Sequence, residues 1–281
     1  MSLIEPVLSD EALAADIAAA DPGAGVVLWW LGQSGFLVKS AVGRVLFDPY
    51  LSDSLTTKYA NTDKPHVRMT RQCVAPEALD RIDLITSTHN HTDHLDAQTL
   101  RPLLTANSPA KLVIPEANRA FVAERIGCDH DWPVGMNAGE AVTIGAIQLH
   151  AVPAAHNIID RDAAGRCHYL GYVVRLDGVT IYHSGDTLRY AEQVELLRPF
   201  GIDIALLPIN GNRPERRVSG NLFGDEAAQL AHDIGAKLVI PCHYDMFAFN
   251  TESPALFEQK CQQLGQNYRT LKCGERFEFS P

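Results

Sequence analysis

The chain has 281 residues, 46% of them apolar and 21% charged, which excludes a disordered or fibrous protein and leaves ample material for a buried core. Its 24 basic and 34 acidic residues give a net charge of −10, which argues against a nucleic-acid backbone as the main partner. No apolar run approaches a membrane span, and the six cysteines are scattered without a C-x-x-C pair, so the chain is read as a cytoplasmic protein with reduced thiols.

The acidic, alanine-rich opening lacks the basic flank and apolar core of a signal peptide. It reads as a helix over about 9–20, with Ser9 as N-cap and Pro22-Gly23 as the stop. Short β-rich runs follow, among them "VVLWWLG", "GFLVKS", "RVLFDPYL", "IDLITSTH", "KLVIPE" and "VTIGAIQLHAVPAAH". Further on come "YLGYVVRL", "VTIYHSGD", "IDIALLPI" and "KLVIPCHYD", with Asp177-Gly178 as a hairpin turn. Amphipathic stretches near 117–126, 189–198, 225–235 and 254–264 predict helices between them. No composition break divides residues 1–281, so the pattern predicts a single α/β domain whose sheets are covered by helices.

Four of the apolar runs end in a residue that can hold a metal ion: His89, His156, Asp186 and His243. Ligand sites in α/β sheets gather beyond the carboxyl ends of strands, so one cleft collecting all four ends is the economical reading. The densest stretch is "THNHTDHLD", Thr88 to Asp96. In extended backbone His89 and His91, two apart, leave on one side and suit one ion. Asp93 and His94 diverge and can reach a second. Imidazole and carboxylate are ligands for zinc, manganese and iron. "LHAVPAAH" offers both His150 and His156 as a further imidazole; His156 follows the strand's end, while His150 lies within its alternation.

"THNHTDH" resembles the H-x-H-x-D-H signature of the metallo-β-lactamase superfamily. Asp48 in "VLFDPY", the histidine of "LHAVPAAH", Asp186 in "YHSGDT" and His243 in "VIPCHYD" follow in that family's order, over roughly Trp29 to Phe247. "WWLGQSGF", "LLPINGN" and "IPCHYDMFAFN" are similar to the branch that contains ascorbate-6-phosphate lactonase. The resemblance implies a four-layer αββα sandwich and two divalent ions, with zinc and manganese suiting the ligands better than iron. It implies His89, His91 and His156 on the first ion, Asp93, His94 and His243 on the second, and Asp186 bridging both. Asp48 suits an acceptor that orients a metal-bound histidine; an ordinary turn before Pro49 is the other reading.

Such a centre lowers the pKa of a bridging water and polarises a carbonyl or phosphoryl group. The leading expectation is therefore hydrolysis of a lactone or ester in a small anionic substrate, with Asp186 and Asp93 at the chemistry. A phosphodiesterase or nuclease with the same centre, or a di-iron redox or binding protein, is the alternative. No serine motif of the G-x-S-x-G form is present, and Cys242 beside His243 reads as a buried structural thiol. Arg213 and Arg216, with Arg217, form either an anion clamp or a solvated loop. Asn210 and Tyr244 are assigned to substrate contact, against turn-forming and core packing. His183 and Ser184 flank Asp186 and point opposite ways. Neither a nucleic acid nor a membrane is expected as partner; a homo-oligomer is compatible with the sequence.

Overall fold

Along residues 26–31 valine, leucine and tryptophan leave no polar position. The reason is that this strand is covered on both faces: Val26, Leu28 and Trp30 enter one core cluster, Val27, Trp29 and Leu31 a second. In the computed structural model, which describes residues 2–281, helix α1 (Asp10–Ala19) precedes strands β1 (Val26–Gly32), β2 (Gly35–Ser40) and β3 (Gly43–Phe47). Helix α2 (Ser54–Tyr59), strand β4 (Leu84–Thr86), helix α3 (Ala97–Ala106), strand β5 (Lys111–Pro115) and helix α4 (Arg119–Ile126) come next. Then follow strands β6 (Val134–Met136), β7 (Ala141–Ile144), β8 (Ile147–Pro153), β9 (Leu170–Leu176) and β10 (Val179–His183). The chain closes with α5 (Gln193–Leu197), β11 (Ile204–Pro208), α6 (Gly224–Ile234), β12 (Leu238–Cys242), α7 (Ala255–Leu264) and β13 (Arg276–Phe279).

The strands form two sheets, one of seven strands in the order β13-β1-β2-β3-β4-β5-β6 and one of six in the order β12-β11-β10-β9-β8-β7. Phe36, Val38, Val45 and Phe47 of the first sheet share a cluster with Leu149, Tyr172, Val174 and Ile181 of the second. The far face of the first sheet is covered by Leu13 and Ile17 of α1, Leu100 and Leu103 of α3, and Val122 and Ile126 of α4. Leu230, Ala231 and Ile234 of α6 and Phe257 of α7 pack with β11 and β12 of the second. The layers run helix, sheet, sheet, helix, as expected.

Several boundaries differ from the sequence expectation. Ser9 stands at the N-cap of α1, but its side chain makes no cap bond; its Oγ accepts from Arg71 Nη2 at 2.8 Å. The helix stops at Ala19, ahead of Pro22-Gly23. "VTIGAIQLHAVP" is a hairpin of β7 and β8 rather than one run. Helix α3 carries Pro102 in its interior, which hides its periodicity, and is capped by Asp96: the carboxylate accepts from the N–H groups of Gln98 and Thr99. The last residue of "THNHTDHLD" is thus a helix cap. The β9–β10 turn conforms to expectation, with Asp177 and Gly178 both at positive φ.

Candidate metal centre

His89, His156 and Asp186 each sit three residues past the end of a strand, β4, β8 and β10, while Asp48 and His243 directly follow β3 and β12. Short stubs past strand ends leave little freedom, so the sheets themselves fix the positions of these side chains. The stretch 88–95 is a series of bends and turns, not the extended backbone expected from the i, i+2 spacing. The turn nevertheless brings both imidazoles to one place, their ring centroids 4.6 Å apart.

Donor atoms of His89, His91, His156 and Asp186 lie within 4.8 Å of one another, and so do those of Asp93, His94 and His243. Asp186 stands between the groups: its Oδ1 is 3.3 Å from His94 Nε2, and its Oδ2 is 3.6 Å from His156 Nε2 and 3.5 Å from His243 Nε2. His243 Nε2 is also 3.5 Å from Asp93 Oδ2. Donors sharing one ion at bonds of about 2.0–2.2 Å stand roughly 3–3.6 Å apart; these four distances lie in that range, and His94 Nε2 and Asp93 Oδ2 stand a little wider at 3.8 Å. The buried atoms His89 Nε2, His94 Nε2 and Asp186 Oδ1 have no hydrogen-bond partner. Buried polar atoms are rarely left so, and a cation accounts for all three. His150 is half-buried within β8 with its ring against Phe200, 5.3 Å between centroids, and belongs to neither group.

The surroundings orient the imidazoles. Asp48, fully buried and at φ +36°, accepts from Thr86 Oγ1 at 2.7 Å, from the N–H and hydroxyl of Thr88, and from His94 Nδ1 at 2.7 Å. Burial pushes its pKa up, but the His94 hydrogen bond, the nearby imidazoles and Thr88 outweigh this and hold it below the ordinary range. With its Nδ1 so engaged, His94 offers Nε2 to the centre. His156 Nδ1 donates to the Gly220 carbonyl at 2.9 Å, to the same effect. Burial depresses the pKa of His89, and that of His156 to about 4, keeping both rings neutral with a lone pair free. Burial also disfavours charge on His243, but Asp186 and Asp93 raise its pKa to about 9.

Gly185 of "HSGD" is required here. It has φ +59°, and a Cβ would lie 2.6 Å from the side chain of Thr88, the residue that holds Asp48. His183 turns away, its Nε2 2.9 Å from the Ser34 carbonyl and its ring stacked on Phe47. Ser184 Oγ donates to the Gly185 carbonyl. Cys242 is buried, and burial pushes its thiol pKa well up. Trp29 and Trp30 are core, their indole N–H groups on Asp16 and the Gln33 carbonyl.

The residues assigned to substrate contact lie elsewhere. Tyr244 is buried, packs 4.4 Å from Trp30 and donates its hydroxyl to the Leu271 carbonyl. Arg213 and Arg216 are both paired with Glu252, and Arg216 also donates to the carbonyls of Asn210 and Thr251. Asn210 is buried and hydrogen-bonded to Asn250 and Asn221. None of these four lines the cavity at the centre, whereas Arg217, paired with Asp63 at 2.7 Å, does.

That cavity, about 470 Å³, is lined by residues the sequence reading passed over. Gln33, at φ +50°, donates to Asp93 Oδ2 at 2.7 Å and lies 3.1 Å from His243 Nε2. Arg125, at the end of α4, donates to the carbonyls of Asn90 and Leu95 and so braces the ligand-bearing turn. His66, Tyr59 and Phe249 form another wall. Gln33 and Phe249 lay within quoted motifs, "WWLGQSGF" and "IPCHYDMFAFN", without being singled out; Arg125, His66 and Tyr59 are brought in by tertiary packing.

A family model described as a beta-lactamase superfamily domain matches residues 43–244. A UPF0173 metal-dependent hydrolase of Methanoregula boonei is 33% identical over 222 residues, covering 78% of this chain and 82% of that one. Another, of Archaeoglobus fulgidus, is 30% identical over 260 residues, with 89% and 98% covered. The chain is similar in fold to Igni18, a metallo hydrolase of Ignicoccus hospitalis, with a TM-score of 0.65 at 23% identity, over 91% of this chain and 99% of that one.

Proposed function

The chain belongs to the metallo-β-lactamase superfamily as a metal-dependent hydrolase, and on that premise we propose that it cleaves the carbonyl of a lactone or ester in a small anionic substrate. The observation that carries the reading is the set of partnerless buried atoms, His89 Nε2, His94 Nε2 and Asp186 Oδ1, facing one another across a few ångströms. His89, His91 and His156 would hold one divalent ion and Asp93, His94 and His243 a second, with Asp186 shared between them. Zinc or manganese, when bound there, supplies a hydroxide at neutral pH and draws electron density from the carbonyl.

The chain's own groups prepare that chemistry. Asp48 and the Gly220 carbonyl fix which nitrogen His94 and His156 present. Gln33 steadies the Asp93 carboxylate through its amide N–H. No protein nucleophile is needed: Ser184 faces a backbone carbonyl, and Cys242 is buried as an uncharged thiol. A cavity of about 470 Å³ suits a small molecule. The similarity of "WWLGQSGF" and "IPCHYDMFAFN" to the ascorbate-6-phosphate lactonase branch supports a lactone as the reacting group.

Metal content by mass spectrometry, with turnover on a panel of lactones and esters before and after chelation, tests the reading. Activity is expected to vanish with the metal and return with added zinc or manganese. Turnover that survives complete metal removal overturns it.

A further inference from the structure

Besides the imidazoles, a cluster of aromatic rings lines the cavity as a wall. Tyr59, at the end of α2, stacks on His66 with centroids 4.2 Å and planes 19° apart, and the rings of Phe249 and Phe247 meet His66 edge-on at 4.5 and 5.2 Å. All four rings line the same space as His91 and Asp186. His66 cannot swing freely: its Nδ1 donates to the Lys64 carbonyl at 3.0 Å, and its own carbonyl accepts from Thr56 Oγ1 at 2.9 Å. Burial lowers its pKa, so at neutral pH it is an uncharged ring among rings.

An aromatic wall of this kind can hold either a cation or a flat apolar group. The charges around it decide. Lys58, Arg125 and Arg217 line the cavity, and its carboxylates, Asp93 and Asp186, belong to the metal centre. Arg217 is paired with Asp63. Arg125 is half-buried and lies 4.3 Å over the Phe121 ring; its hydrogen bonds go to two backbone carbonyls, and no carboxylate is within salt-bridge range among the described residues. A cationic guest is repelled here, while an anion gains a guanidinium that no protein carboxylate occupies.

We propose that this cavity selects aryl-bearing anions: a flat aromatic group lies on the Tyr59–His66–Phe249 wall, and its carboxylate or other anionic group meets Arg125. This deepens the hydrolase reading and rests on it for the reacting carbonyl. The selection itself rests on the wall and on Arg125.

Calorimetric titration of the metal-loaded, full-length protein with phenylacetate, acetate and phenylacetamide tests the assignment, with metal content measured in each sample. Contacts of a carboxylate with the metals are common to phenylacetate and acetate, so their affinity ratio reports the wall. Phenylacetate is expected to bind about tenfold more tightly than acetate, and Phe249→Leu, which keeps apolar bulk but removes the ring, to narrow that ratio severalfold. Tyr59→Leu serves as a second probe of the wall should Phe249→Leu fail to fold. Arg125→Gln is expected to narrow the phenylacetate-to-phenylacetamide ratio, and Arg125→Lys to restore most of it. Equal affinity for acetate and phenylacetate, or ratios that neither substitution moves, overturns the proposal. Absent turnover on lactones with the binding ratios intact counts against the hydrolytic reading alone; retained turnover with the ratios lost counts against the aryl site alone.

Discussion

Asp48 Oδ2 and His94 Nδ1 lie 2.7 Å apart, both side chains wholly out of solvent. With His94 Nδ1 engaged by the carboxylate, Nε2 is the nitrogen left to face the centre, and through that bond Asp48 would tune any metal held by His94. Removing its charge in Asp48→Asn is expected to weaken metal binding about 10–100-fold. Asp186→Asn, which alters the residue shared by both groups, is expected to lose more activity than that while retaining the fold. Competition with a chelator, turnover and near-ultraviolet circular dichroism check the pair. Wild-type activity in Asp186→Asn would be incompatible with its assignment.

Tyr244 follows His243 in sequence, yet its hydroxyl serves the core. Tyr244→Phe is expected to leave kcat/KM unchanged and to cost about 1–2 kcal/mol of stability through the unpaired Leu271 carbonyl. Urea unfolding and steady-state kinetics separate the two effects. A large fall in kcat at unchanged stability would return Tyr244 to the substrate site.

Gly185 brings its backbone directly against the Thr88 side chain. A methyl group there must displace Thr88, and the left-handed backbone adds its own strain. Gly185→Ala is expected to destabilise the metal-free protein by about 1–3 kcal/mol and to weaken metal binding, because Thr88 also holds Asp48. Unchanged unfolding and unchanged metal affinity would contradict this account.

Glu252 gives the protein an acid-sensitive tie between the loop of residues 213–217 and the segment after β12. Hydrogen bonding from Arg213 lowers its pKa; partial burial opposes that, and the charge of Arg216 reinforces it. A carboxylate whose folded pKa lies below its unfolded value, here ordinarily 4.5, stabilises fully above that value. The contribution is lost as pH falls through the lower, folded pKa. The stability gap between wild type and Glu252→Gln is therefore expected to be full at neutral pH and to close in acid. Urea unfolding across a pH series measures it, and a gap that widens on acidification refutes the sign.

The metal-type residues were legible because they are dense in sequence and sit where apolar runs stop; His89, Asp186 and His243 each announce a strand end. Layering was legible from runs such as "VVLWWL", which only a doubly covered strand tolerates. What escaped was pairing over distance. Arg213 and Arg216 looked like free guanidinium groups because Glu252 lies in another segment, after β12. Arg125 shows nothing local in α4 that sets it apart, and only the fold brings it to Asn90 and Leu95. Helix α3 was masked by Pro102, and with it the capping role of Asp96. Left-handed backbone at Gln33, Asp48 and His243 is invisible in residue identity, since none of the three is glycine.

The groups of the centre come from both sheets: the histidine-rich turn follows β4 of one, and His156, Asp186 and His243 follow β8, β10 and β12 of the other. An ion held among them would be a non-covalent cross-link between the two halves of the sandwich, closing a chain loop from residue 89 to residue 243. Because the unfolded chain has no such arrangement to offer, every increment of bound-ion free energy is an increment of folding free energy. The melting temperature is therefore expected to rise with free metal concentration, which would make the centre a fastening of the fold.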